Sequence, residues 1–197
     1  MRQTVAILLF DDVEVLDFAG PFEVFSVADK LHDQALFNVV TIGVAPGTVR
    51  TVGGLKVVPT YTLETAPSIH LLLIPGGIGT RALLKQPALI EWVRRQARLS
   101  PLVASVCTGA LLLAAAGLLD GAQVTTHFNG LERLRELAPQ AVLDPSRRYH
   151  DNGRILTSAG ISAGIDLSLH LVARLHGVEA ALATARQMEY LGDWRSP

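Results

Sequence analysis

Unbroken apolar runs bounded by turn residues alternate along this chain with longer segments of helical period. Val5-Ala6-Ile7-Leu8-Leu9-Phe10 is apolar throughout and stops at Asp11-Asp12. A run of that length without alternation predicts a strand buried on both faces, as in a parallel sheet. Leu71-Leu72-Leu73-Ile74 and Leu102-Val103-Ala104-Ser105-Val106 read the same way, and residues 37–44 predict a further strand. Leu16-Asp17-Phe18-Ala19-Gly20-Pro21 leads into a helix to about Leu31, with Pro21 expected in its first turn, where a missing N–H is not needed. Helices are also predicted over residues 88–98, 109–116, 130–137, 163–175 and 178–190, with Gly117 as a C-terminal cap. Residues 49–51 and 55–58 around Gly53-Gly54, and 149–150 and 154–157 around Asp151-Asn152-Gly153, predict two hairpins. Residues 124–126 predict a short strand.

Strands alternating with helices predict a flavodoxin-like α/β fold, a mostly parallel sheet with helices on both faces. The sequence shows no repeat, low-complexity tract or linker, so one domain is expected over residues 1–197, with its core at about 5–190. In such sheets ligands bind outside the carboxyl ends of the strands, near a topological switch point. Three features fall at strand ends: Asp17, Pro75-Gly76-Gly77 and Cys107-Thr108-Gly109.

Composition narrows the function classes. With 49% hydrophobic and 18% charged residues, the chain has the makeup of a soluble globular protein. A net charge of −1, with both signs interspersed, gives no sign of the basic stripe that a DNA-binding domain normally shows. The apolar run at residues 5–10 is too short for a membrane span and is followed by no leader cleavage site, so a cytoplasmic protein is expected. Cys107 is the single cysteine, which excludes an intrachain disulfide and places any thiol chemistry there.

Each candidate residue has a structural and a chemical reading. Cys107 sits between an apolar strand and a helix of small residues. It is either a small core residue or a nucleophile on a tight elbow, with its thiolate favoured by the helix N-terminus. Gly76 and Gly77 either make a plain turn or, through a Gly77 or Ile78 N–H paired with that of Thr108, form an anion site. Asp17, a lone acid among apolar neighbours, is either a first-turn acid or a buried carboxyl of raised pKa that exchanges protons with a thiol. Asp11, Asp12 and Glu14 read as solvated loop charges, and Glu23 as a solvent-facing helix residue. His127, at a strand end, either orients towards Cys107 or is structural. No His/Cys cluster has metal-ligand spacing. The segment Ala159-Gly160-Ile161-Ser162-Ala163-Gly164 lacks the Lys-Ser/Thr of a phosphate loop. Its small residues permit close backbone approach where a helix starts near the cysteine.

Six segments in this order, namely Leu16 to Pro21, Ile74-Pro75-Gly76-Gly77, Ser105 to Ala110, Ala114 to Leu119, Thr125-Thr126-His127 and Ser158 to Asp166, resemble the ThiJ/PfpI superfamily. Its fold is similar to that of class I glutamine amidotransferases, and the branch most similar here is the isocyanide hydratases. The resemblance implies Cys107 as nucleophile, Asp17 as acid/base and Thr108 as an assisting hydroxyl. Gly76, Gly77 and Ile78 would serve substrate and oxyanion, with His127, Gly160 and Ile161 as accessory positions. It further implies a homodimer, a small-molecule substrate and no cofactor. The expected reaction is hydration of an isocyanide to an N-substituted formamide through a thioimidate on Cys107. Thr108 stands where protease-like members have histidine, which counts against a peptidase. Asp17 stands where glyoxalase- and chaperone-type members have glutamate. A glyoxalase- or amidase-type enzyme, and a non-catalytic cysteine-oxidation sensor or transcription-regulator-like domain lacking its DNA-binding module, remain the alternatives. Regulators with the same segments carry a following helix-turn-helix module, and none is expected here because the chain ends at Pro197.

Overall fold

The apolar run that opens the chain becomes β1 (Gln3–Leu9), with Val5 to Leu9 fully buried. The computed structural model describes residues 2–195. The expectation about a following module, tied to Pro197, lies outside them. After β1 come α1 (Val15–Leu31), β2 (Phe37–Gly43), a hairpin of β3 (Val49–Arg50) and β4 (Lys56–Val57), and β5 (Tyr61–Thr62). The middle of the chain forms β6 (Leu71–Ile74), α2 (Thr80–Leu83), α3 (Pro87–Leu99), β7 (Leu102–Val106) and α4 (Ala110–Ala115). The rest forms β8 (Gln123–Val124), α5 (Leu131–Leu137), β9 (Val142–Leu143), the hairpin β10 (Tyr149–Asp151) and β11 (Ile155–Ser158), α6 (Ala163–His176) and α7 (Val178–Gln187).

The main sheet has the order β10-β11-β7-β6-β1-β2-β5, parallel except for β10. Its inner strands β2-β1-β6-β7-β11 follow the flavodoxin-like order, with one helical layer of α1, α6 and α7 and another of α2 to α5. Parallel strands covered on both sides explain why β1, β6 and β7 are apolar without alternation. Each fully buried Leu or Ile in them contributes about 1.5–3 kcal/mol. The chain leaves β1 towards β2, then returns to β6 on the other side of β1, so the switch point lies between β1 and β6. Loops after β1, β6 and β7 therefore meet at one end of the sheet.

Four details differ from the sequence reading. The helix α1 starts at Val15, so Pro21 lies inside it and not in the first turn. The turn at Asp12 (φ 60°) and the Glu14 N–H to Gly76 C=O bond (3.0 Å) set this early start. Proline there leaves the Asp17 carbonyl without its helical donor. The last helix stops at Gln187 and not at Tyr190, because Glu189 turns to φ 52° and Tyr190 N–H closes the end on Ala185 C=O. The strand expected at 124–126 occupies residues 123–124, because Thr125 N–H goes to Thr157 Oγ1 and Thr126 Oγ1 to Cys107 C=O. Finally, β5, α2 and β9, two to four residues each, are too short to leave a periodic signature. Gly117 does cap α4: at φ 69° it donates to Ala114 C=O while Leu118 N–H reaches Leu113 C=O. Among the described residues no helix is long and apolar enough to cross a membrane.

Candidate active site

At the end of β7 the backbone turns sharply, and Cys107 adopts φ 57° before a single 3-10 turn leads into α4. A non-glycine residue in this left-handed region costs about 1–2 kcal/mol, so tertiary contacts must hold it. Cys107 N–H donates to Ala159 C=O at 3.2 Å, and Cys107 C=O accepts from Thr126 Oγ1 at 2.6 Å. Behind it, Gly109 passes so close to β6 that a Cβ there would sit 2.1 Å from Ile74 O. The result is a nucleophile elbow: a side chain held at the mouth of the sheet by a strained turn. Cys107 is 6% exposed and lines a pocket of about 140 Å³.

Asp17 comes to the same place from the first turn of α1 and is fully buried. Its Oδ2 accepts from Gly76 N–H at 3.0 Å, while Oδ1 is buried with no aligned hydrogen-bond partner. The Cys107 thiol is the side chain beside this carboxyl. Burial raises the Asp17 pKa to about 7, against the smaller downward pulls of the thiol and of Gly76 N–H, and the charge of Glu14 adds to the rise. The thiol is pushed up to about 12, first by burial and then by the negative charge of Asp17, with Thr108 N–H pulling it down. This corrects the expectation of a thiol acidified by the helix N-terminus. Desolvation and a neighbouring carboxylate outweigh the short α4. At neutral pH the proton therefore sits on sulfur.

Gly76 is the hinge between acid and elbow. A Cβ on it would lie 2.5 Å from Thr108 N, 2.7 Å from Thr108 Oγ1 and 2.9 Å from Asp17 Oδ2, so only glycine lets these groups converge. Next to it, Gly77 N–H donates to Thr108 Oγ1 (3.0 Å), which in turn donates to Gly77 C=O (3.2 Å), and Thr80 Oγ1 also donates to that carbonyl (2.8 Å). The Gly77 N–H expected to stabilise an anion is thus already committed to the turn, as is the Thr108 hydroxyl expected to assist catalysis. Ile78 N–H makes no hydrogen bond among the described residues, and Ile78 lines the pocket. Gly77→Ala is expected to destabilise the fold by about 3 kcal/mol or more. The residue sits at φ 126°, and a Cβ would lie 2.4 Å from Asp12 O. Urea unfolding measures this, and an unchanged midpoint would contradict the geometry.

His127 lines the pocket without a hydrogen bond to Cys107 or Asp17 among the described residues. Its Nδ1 accepts from Asn129 N–H (3.2 Å), and its ring lies 4.2 Å from that of Phe128. Gly160 separates the imidazole from the thiol: a Cβ there would lie 2.4 Å from His127 Cδ2 and 3.0 Å from Cys107 Sγ. Ile161 lines the pocket beyond it. The small residues before α6 thus allow the close approach to the cysteine expected from sequence.

Three residues of this pocket escape sequence reasoning: Glu14, Arg81 and Asn129. Glu14, read as a solvated loop charge, is partly buried, and it stands three residues before Asp17, one helical turn away. Arg81 rides on the four-residue α2 and Asn129 on a single 3-10 turn, neither of which has a periodic signal. Asp11 and Asp12 are exposed, as is Glu23. Among the described residues no group of three or more His, Cys, Asp or Glu side chains is arranged to hold a metal ion.

Comparison with known proteins finds relatives over nearly the whole chain. The isonitrile hydratase of Pseudomonas putida is 37% identical over 190 residues, covering 96% of this chain and 79% of that protein. The HTH-type transcriptional regulator GbdR of Pseudomonas aeruginosa (strain UCBPP-PA14) is 29% identical over 95% of this chain, which spans 51% of the regulator's length. Among solved structures, a ThiJ/PfpI family protein from Pseudomonas syringae superposes with a TM-score of 0.87 at 28% identity, over 98% of this chain and 77% of that one. The model of the DJ-1/PfpI family matches residues 3–174, from β1 through the cysteine elbow and almost to the end of α6, and the chain belongs to that family.

Proposed function

We infer that the protein is a cysteine-dependent isocyanide hydratase that converts R–N≡C and water into the formamide R–NH–CHO. One observation carries the reading: a fully buried carboxyl of pKa about 7 lies beside the protein's single thiol at the wall of a small pocket. The likeness to the Pseudomonas putida isonitrile hydratase supports it.

In the first step Asp17 takes the thiol proton as Cys107 Sγ bonds to the terminal isocyanide carbon. Asp17 then returns that proton to the same carbon, giving the thioimidate R–N=CH–S–Cys107. In the second step the Asp17 carboxylate accepts a proton from water as the water oxygen bonds to the imidate carbon, and passes that proton to the imidate nitrogen, giving R–NH–CH(OH)–S–Cys107. Collapse of the tetrahedral adduct breaks the C–S bond and releases R–NH–CHO, and the proton of the adduct's hydroxyl returns to sulfur through Asp17. Atoms balance with water as the only co-substrate. Thr108, locked to Gly77, positions the elbow, and Ile78 N–H is the donor left for charge that develops on the substrate. A pKa near 7 suits a group that must act as both base and acid.

Purified protein mixed with cyclohexyl isocyanide should yield N-cyclohexylformamide, followed by mass spectrometry. A flat trace at high enzyme concentration removes the reading. Consumption of methylglyoxal without isocyanide turnover would replace it with a glyoxalase. Oxygenation of Cys107 by low peroxide without any turnover would replace it with a sensor.

A further inference from the structure

A second, larger cavity of about 380 Å³ adjoins the Cys107 pocket, and the two share Arg81 and Asn129. Leu84, just after α2, and the buried Leu111 of α4 give the cavity an apolar lining. Its charged side chains are all cationic. Arg81 and Lys85 stand four residues apart, and Arg133 of α5 joins them. Among the described residues no acidic side chain lines the cavity. Among the same residues only Arg133 of the three makes an ion pair, with exposed Glu136. In a chain of net charge −1, such a concentration of positive charge is local to this site and not a property of the whole surface. The neighbouring Cys107 pocket carries both signs: it shares Arg81 with the cavity, but Glu14 lies on its wall and the Asp17 carboxyl stands behind it.

We propose that this cavity is the distal half of the substrate site, and that the substrate is an isocyanide whose apolar body ends in a carboxylate. The claim rests on the hydratase reading for its reactive group and on the cavity for everything else. The smaller pocket has room for the isocyano group, and with Glu14 on its wall it suits a carboxylate less well than the cavity, which no acidic side chain lines. The body then lies along Leu84 and Leu111, and the carboxylate meets Arg81, Lys85 and Arg133. This polarity presents the terminal carbon to Cys107 and not the reverse. Exposed cations act modestly one by one, but three facing one anion over an apolar lining select for charge.

Two measurements keep this claim separate from the hydratase reading. Ligand-observed NMR titration of the wild-type protein with cyclohexylacetate and with cyclohexylacetamide tests the cavity alone, because neither probe offers Cys107 a carbon of isocyanide reactivity. The acid is expected to bind about fivefold more tightly or better at low salt, and Lys85→Gln combined with Arg133→Gln to erase the difference. Equal affinities in the wild type overturn the cavity assignment whatever the enzyme does. The second measurement compares kcat/KM for a carboxylate-terminated isocyanide and for its methyl ester. A preference of about tenfold for the acid, expressed in KM and falling towards one in the double variant, is the expected result. Equal turnover of acid and ester overturns the substrate class. If neither isocyanide reacts while cyclohexylacetate keeps its preference, the hydratase reading fails and the anion site stands.

Discussion

Replacing Asp17 by asparagine is expected to cost isocyanide hydration about 10²–10⁴-fold and, at the same time, to make the protein more stable at pH 8. The two effects share one cause. Because the thiol holds its proton up to about pH 12, Asp17 must be ionised to receive it, so wild-type kcat/KM should rise with pH through about 7 and then level. Asparagine cannot accept that proton, and the rise should vanish. For stability the sign is the reverse. The folded pKa is raised from 3.8 to about 7, so between those values the native chain binds more protons than the unfolded one. The stability linked to this proton is complete below about pH 4 and is lost as pH rises through about 7, on the order of 4 kcal/mol. The amide of Asp17→Asn keeps an acceptor for Gly76 N–H without a charge to bury. The variant's advantage over the wild type should therefore grow from pH 4 to 7 and then stay constant, as read by urea unfolding at several pH values. Identical pH dependence in the two proteins would mean that the carboxyl is not held neutral by burial.

Cys107→Ala should reduce turnover by about 10⁴-fold or more, since no other thiol is available to form the covalent intermediate. Its fold should survive, because alanine keeps both backbone hydrogen bonds of the elbow. Cys107→Gly sharpens the test: glycine adopts φ 57° without penalty, so this inactive variant should be stabilised relative to Cys107→Ala by up to about 1–2 kcal/mol. Acid-quenched wild type should carry an adduct of one isocyanide on Cys107, and the variants none. A Cys107→Ala protein retaining a tenth of wild-type activity would eliminate the nucleophile role. The contrast with Gly77→Ala is informative, because that change strains the scaffold while leaving the chemistry of Cys107 and Asp17 nominally intact.

How legible the site was depends on the length of the element that carries each residue. Cys107 follows a five-residue buried strand and Asp17 opens a seventeen-residue helix, so both could be placed at the mouth of the sheet from sequence. Glu14, Arg81 and Asn129 belong to a loop edge, a four-residue helix and a 3-10 turn, where no hydrophobic period reports position. The donors at this turn show the same dependence on tertiary structure. Sequence indicates which N–H groups a Gly-Gly turn exposes, but Gly77 N–H is taken by Thr108 Oγ1, thirty-one residues away.

By itself the sequence determined the alternation of buried strands and helices, and with it the parallel sheet. It also determined that any thiol chemistry runs through Cys107, because apolar period and cysteine count are local properties of the chain. Only the tertiary structure decided the burial of that thiol, its place beside Asp17 and the cationic cavity next door. Those depend on desolvation and on charges brought together from α1, β6, β7, α2 and α5, and such terms exist only once distant segments exclude water from one another.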